Sequence, residues 1–418
     1  MVDIAKLNEA TICIVGLGYI GMPLAEAFSK TLKVVGFDID KDKVERLQRD
    51  YNKKSLIFTV NPTDISQADI IIICVPTPVT RSKEPDLAFV VLAAETVSHN
   101  LKTNSVVILE STVYPGVTEE VVKPILEKSG LKAGRDFKIA YCPERINPGD
   151  EDHTIDKITK VVAGMDEETT EIVAELYRRI TPKVYQARSI KTAEAAKAIE
   201  NVQRDLNIAL VNELSIIFSK LGLSTEDVLD AASTKWNFHR YSPGLVGGHC
   251  IPVDPYYLVY KAEEMGYHPR VILAGRAVND EMPEYVARLT IQALQETGKA
   301  VKGSRTLIMG LTYKENVADT RETPARGIIA ELKKNGLEII GFDPLPENTE
   351  EFGVKVISKL EEVTEVNAVI LAVGHTAFRE ITLDILKNMM TEQPVLIDIR
   401  RFFNAEEAAE KGFHYRSL

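Results

Sequence analysis

Cys250 stands in the stretch Gly247-Gly248-His249-Cys250-Ile251-Pro252-Val253-Asp254. A thiolate there can add to an aldehyde carbon and hold it covalently. Gly247 and Gly248 remove side-chain bulk where a large ligand would approach. Asp254 is placed to act as a base toward water or a hydroxyl. A carboxylate disfavours a neighbouring thiolate, so the chemistry also needs a cation. Lys197 and Asn201 are four residues apart, with Glu194 one turn earlier, and share a helical face. An ammonium and an amide projecting together can stabilise a developing oxyanion. Each group also has an ordinary reading: Cys250 as packing, Lys197 and Glu194 as a surface pair, His249 as a turn cap.

Gly16-Leu17-Gly18-Tyr19-Ile20-Gly21 follows an apolar run and opens a helical one. In this pattern Gly16 permits the turn, Gly18 lets backbone approach a pyrophosphate, and Gly21 lets helix pack on strand. Tyr19 and Ile20 lie at the helix start, where free N–H groups face the phosphates. Asp38 comes at the distance where a carboxylate accepts from a ribose 2′-OH and repels a 2′-phosphate, which favours NAD over NADP. Gly310 follows a later strand without this fingerprint. That half is expected either to bind the nucleotide part of a substrate or to serve the fold alone.

Further candidates sit where strands should end, which is where such folds bind ligands. Pro76 and Thr77, Thr112 in Glu110-Ser111-Thr112, and Glu144 and Arg145 after Cys142-Pro143 all do so. Thr112 can hydrogen-bond a ribose or nicotinamide, and Glu144 can steer a water. Alternatively the prolines only stop strands, Glu144 pairs with Arg145, and Cys142 fills space. Lys314 and Arg321, after the first strand of the second half, read either as phosphate ligands or as solvated loop charges.

The elements that must position these residues form an α/β chain. Thr11–Val15, Val34–Phe37, Ile70–Val75, Val106–Leu109 and Lys138–Tyr141 are predicted strands of a parallel sheet covered on both faces. Lys160–Ala163 is an added strand, and Pro182 is expected to close the unit. Thr192–Leu221 is one long helix stopped by Gly222, of a length that joins domains or packs on a second copy. A second pattern follows, with strands Thr306–Met309, Glu338–Phe342, Ala368–Val373 and Val395–Ile399 and a helix Ala325–Asn335. The expected fold is therefore two Rossmann-like parallel-sheet domains joined by a long central helix and a helical middle domain, divided as 1–190, 191–298 and 299–418.

The 418 residues are 45% hydrophobic with a net charge of −11 and no long basic run, which argues against nucleic acid as partner. No stretch approaches the roughly 20 apolar residues of a membrane span, and the N-terminus lacks the apolar core of a secretory signal. Cys13, Cys74, Cys142 and Cys250 have no metal-like spacing. No metal is expected, and a reduced, cytoplasmic setting is the default.

These motifs, in this order from Gly16 to about Arg401, resemble the UDP-sugar 6-dehydrogenase family, whose members act on UDP-glucose, UDP-N-acetylglucosamine or UDP-N-acetylmannosamine. The resemblance implies an NAD-dependent four-electron oxidation of the sugar C6 hydroxyl to a carboxylate, through a thiohemiacetal and a thioester on Cys250. It implies that Lys197 and Asn201 hold the C6 oxygen, that Asp254 serves proton transfer with Lys197 and a water, and that Glu144 assists around the thioester. Lys314 would contact substrate, Arg321 the cofactor, the C-terminal half UDP, and the long helix would build a homodimer or larger homo-oligomer. His249 and Val253, with Lys235-Trp236-Asn237-Phe238-His239-Arg240 and Pro243-Gly244, look like the UDP-N-acetylhexosamine branch and polysaccharide biosynthesis. Arg240 either reaches sugar or diphosphate, across a subunit boundary, or is an exposed loop arginine. The alternatives are a UDP-glucose 6-dehydrogenase, a two-electron hydroxyacid dehydrogenase in which Cys250 is structural, and a nucleotide-binding regulator without turnover.

Overall fold

The computed structural model describes residues 4–51, 53–145, 153–346 and 349–418. It divides into two compact units, Met1–Asn201 with Val253–His268, and Val202–Pro252 with Pro269–Leu418.

The first unit is built on eight strands: β1 (Thr11–Val15), β2 (Lys33–Phe37), β3 (Leu56–Thr59), β4 (Ile70–Ile73), β5 (Val106–Leu109), β6 (Lys138–Tyr141), β7 (Thr159–Gly164) and β8 (Lys183–Gln186). Their order is β3-β2-β1-β4-β5-β6-β7-β8. All neighbours are parallel except β6 and β7. Both faces are covered, so the inner strands are apolar throughout. Ile12, Ile14, Ile70 and Ile72 pack with Leu24 and Phe28 on one face. The alternate residues Cys13, Val15, Ile71 and Ile73 pack with Val90 and Val97 on the other. Pro182 does not close the unit as expected: β8 follows it at once and pairs with β7. Its four residues are mostly exposed, so no apolar run announced it.

The second unit has β9 (Arg305–Met309), β10 (Glu338–Phe342), β11 (Lys355–Ile357), β12 (Val366–Leu371), β13 (Met390–Asp398) and β14 (His414–Ser417). All pairs are parallel, in the order β11-β10-β9-β12-β13-β14. Both sheets thus contain the doubly wound order in which the chain reverses direction beside the first strand of each set. Helix Ile190–Leu221 starts in the first unit and ends in the second. In the second unit Arg276 bonds Asp205 at 2.5 Å and Asn279 bonds Asn212 at 2.8 Å, which fixes helix Arg270–Glu296 against that helix. No helix among the described residues is long and apolar enough to cross a membrane.

Candidate active site

The reversal point of the first sheet lies at the C-terminal ends of β1 and β4, where the glycine loop begins. Gly16 has φ +98°, and a Cβ there would lie 2.6 Å from the Cys74 carbonyl oxygen. A Cβ on Gly21 would lie 1.8 Å from the Gly16 oxygen, so helix Gly21–Ser29 comes as close to the strand as backbone permits. Around Gly18 there is nothing within 4 Å, which leaves the approach open for a ligand. Tyr19 is exposed and Ile20 half-buried beside it. At the end of β2 the Asp38 carboxylate accepts from the Leu17 and Asp40 N–H groups at 2.9 and 3.0 Å, and from Lys43 at 2.9 Å. Burial raises its affinity for a proton, but these donors outweigh burial and hold it below the usual carboxylate range. An anion fixed there suits a ribose diol and repels a 2′-phosphate. Exposed Pro76 and half-buried Thr77 follow β4, and Tyr257 donates to the Thr77 carbonyl at 2.8 Å. Half-buried Thr112 follows β5, beside Ser111, whose hydroxyl bridges to Val75.

Lys197 and Asn201, one turn apart on the long helix, both reach Asp254 within the first unit. The Asn201 amide donates to Asp254 Oδ2 at 2.6 Å, and Lys197 Nζ is 3.8 Å from the same oxygen. Asp254 opens helix Asp254–Glu264, where Pro255 presets the first turn. Burial pushes its carboxyl above the usual range, against the pull of Lys197 and Asn201. A buried carboxyl with raised proton affinity beside a lysine is suited to take up and return a proton. Glu194 does not join them. It accepts from Gly116 N, Thr118 N and Thr118 Oγ1 at 2.5, 2.9 and 2.7 Å, so it is a buried cap and not the surface partner of Lys197.

Cys250 is exposed, in the turn that ends the second unit's part of this segment. Four residues of chain tie it to Asp254, a reach of at most ~14 Å. The bulk that the preceding glycines omit is that of the protein itself. A Cβ on Gly247 would meet Pro324 at 2.6 Å, and one on Gly248, whose φ is +86°, would meet the Tyr313 ring at 2.6 Å. The expected opening for a ligand at these two glycines is therefore filled by the unit's own loop. His249 sets its ring edge-on to Tyr313, and burial followed by the charge of Arg321 keeps it below its ordinary pKa. Arg321 forms a two-point bond to Asp319 at 3.0 and 2.8 Å. Lys314 is half-buried in a loop that His375 pins by accepting from Asn316 N at 2.9 Å. Arg240 is held by Asp230 and Glu226.

Models of the UDP-glucose/GDP-mannose dehydrogenase family match three segments: its NAD binding domain at residues 10–181, its central domain at 191–281 and its UDP binding domain at 307–405. The chain belongs to this family. It is an NAD-dependent dehydrogenase of UDP-sugars. It is 46% identical to Protein CapL of Staphylococcus aureus over 95% of this chain and 97% of that protein. It is 43% identical to the UDP-N-acetyl-D-glucosamine 6-dehydrogenase of Pseudomonas aeruginosa over 96% and 99%. The solved UDP-D-ManNAc dehydrogenase of Pyrococcus horikoshii superposes with a TM-score of 0.89 at 28% identity, covering 98% and 99% of the two chains.

In this dehydrogenase the close approach at Gly21 gives a direct test. Gly21→Ala must push the helix off the strand, at a cost of about 3 kcal/mol, and is expected to lower the thermal midpoint and weaken NAD binding at least tenfold in calorimetry. Unchanged binding would show that the contact is dispensable. A cavity of about 760 Å³ lies at the ends of β12 and β13, lined among others by Glu315, Arg379, Arg400, Arg401, Phe402 and Phe403. Its volume suits a nucleotide-sized ligand. Sequence reasoning missed a buried group altogether. Lys160 on β7 bonds Glu110 at 2.8 Å and approaches Glu144 at 3.4 Å. Arg145, expected as one possible partner of Glu144, gives it only a backbone N–H at 2.6 Å, and its guanidinium pairs with Glu200 at 2.8 Å. A lysine inside the apolar run of β7 was the available signal.

Proposed function

We propose that this dehydrogenase oxidises the C6 hydroxyl of a UDP-N-acetylhexosamine (GlcNAc, ManNAc or GalNAc) to the carboxylate, with Cys250 as covalent nucleophile. The observation that carries the reading is the convergence of Lys197 and Asn201 on Asp254, four residues after an exposed thiol. Lys197 and Asn201 hold the C6 oxygen while Asp254 accepts its proton, by way of a water. The aldehyde carbon then forms a bond with the Cys250 sulfur, giving a thiohemiacetal. Loss of a second hydride from that carbon leaves a thioester. Water, steered by Glu144, adds to the carbon and the C–S bond breaks, releasing the carboxylate and restoring the thiol. NAD, when bound, is the hydride acceptor, so each sugar consumes two NAD⁺ and one water and yields two NADH and three protons.

Gly16, Gly18, Tyr19, Ile20, Gly21, Asp38, Pro76, Thr77 and Thr112 would hold NAD, with Arg321 turning from Asp319 to reach it. Arg145, Gly247, Lys314 and Arg240 would help hold the substrate. The cavity of the second unit suits the uridine diphosphate: its aromatic rings offer a stacking face and its arginines offer phosphate contacts. The segment 191–298 is read as a dimerisation domain. Leu210, Ile217 and Leu221 are exposed at helical spacing, a stripe that a second copy would cover. His249, Val253 and the 235–240 segment support the N-acetylhexosamine branch over UDP-glucose.

The test is a panel of UDP-GlcNAc, UDP-ManNAc, UDP-GalNAc and UDP-glucose with NAD, counting NADH formed per sugar consumed. Two NADH per acetamido sugar, with no aldehyde trapped, is the expected result. One NADH per sugar would instead favour two-electron chemistry with a structural Cys250.

A further inference from the structure

Glu110, Lys160, Glu144 and Tyr177 come from four elements of the first unit and meet at the C-terminal ends of β5 and β6. Lys160 is 2% exposed, Glu110 0% and Glu144 4%. Lys160 lies between the two carboxylates, 2.8 Å from Glu110 and 3.4 Å from Glu144, and 4.9 Å from the Tyr177 ring centroid. The Tyr177 hydroxyl donates to the other oxygen of Glu110. The Cys74 and Cys142 thiols also border Glu110, both kept protonated chiefly by burial. Among the described residues, Lys160 is thus shared by two buried carboxylates. Two carboxylates that share a site favour a proton on one of them.

Resting on the role given above to Glu144, we propose that Lys160 and Glu110 are positioning residues for the water-activating step. Lys160 holds the Glu144 carboxylate in place, and Glu110 carries the cluster's exchangeable proton. When Glu110 loses that proton, the new negative charge draws Lys160 toward itself and frees the Glu144 carboxylate to turn toward the water. Burial, opposed by Lys160 and reinforced by Glu144, pushes Glu110 up to about 7, which puts this exchange at neutral pH. Burial works against the Lys160 ammonium, but the two carboxylates outweigh it and keep it charged throughout.

The experiment follows decay of the Cys250 thioester by rapid quench and mass spectrometry, from about pH 6 to about pH 9. The wild type is expected to speed up about tenfold through neutral pH. Glu110→Gln should keep the slow acid-side rate at every pH. Lys160→Met should lose at least tenfold and lose the rise through neutral pH with it, because nothing then passes the Glu110 charge on to Glu144, whereas Lys160→Arg should restore the rate. A purely structural role would lower the thermal midpoint without moving these curves. A Glu110→Gln curve that superposes on the wild type overturns the proposal. If Glu144→Gln itself decays at the wild-type rate, the role of Glu144 fails instead. The cluster is then decided by the infrared carboxyl band that titrates near neutral pH, which must vanish in Glu110→Gln for the proposal to stand.

Discussion

Cys250→Ser is expected to slow carboxylate formation about a thousandfold or more, some 4 kcal/mol of barrier, because a hydroxyl at neutral pH is a far weaker nucleophile than a thiolate. The first oxidation does not use the sulfur. NADH should therefore fall from two toward one per sugar, and the released aldehyde should be captured by a hydrazine probe. Cys250 is exposed, so folding is expected to be untouched and the thermal midpoint to stay with the wild type. Full activity in Cys250→Ala would overturn the covalent mechanism.

Lys197→Met is expected to cost a hundredfold to about a thousandfold in kcat, with little change in the KM for NAD, through loss of the ammonium proposed to hold the C6 oxygen. It should also change the pH dependence. Asp254 is already held above the usual carboxylate range by burial, and Lys197 is the main opposing charge. Its removal pushes Asp254 higher, so the acid limb of the kcat profile moves to higher pH. The folded state binds this proton more tightly than the unfolded state, so this group's contribution to stability is greatest in acid and falls as pH rises from the ordinary aspartate value through the raised one. The variant widens that window, so its loss of thermal midpoint relative to the wild type should be larger at about pH 8 than at about pH 5. An unshifted acid limb would separate Lys197 from Asp254.

The strands that the sequence announced are those buried on both faces, such as Thr11–Val15 and the four isoleucines of β4. The strands it hid lie at or near sheet edges. Leu56–Thr59 and Lys355–Ile357 mix burial with exposure, and His414–Ser417 is half-buried throughout, each over only three or four residues, too short for periodicity to register. The glycine loop was legible because its requirements are local: a turn, an open approach and a tight helix contact. The Lys197–Asn201 pair was legible for the same reason, being one helical turn. The partnership of Lys160 with Glu110 spans 50 residues and arises only from which strand lies next to which. Likewise Gly247 and Gly248 signalled missing bulk, but nothing in their own stretch said that Pro324 and Tyr313 would fill it.

The first unit is discontinuous, since Val253–His268 returns to it after the excursion through residues 202–252. During synthesis its sheet is complete by β8, long before the ribosome reaches Asp254. Completion of these contacts is thus a late event in the life of a nascent chain, with Lys197, Asn201 and the Thr77 carbonyl waiting for Asp254 and Tyr257 to emerge. A fragment ending at Asn201 would keep the cofactor loop but lack Val253–His268, and with it both Asp254 and Tyr257.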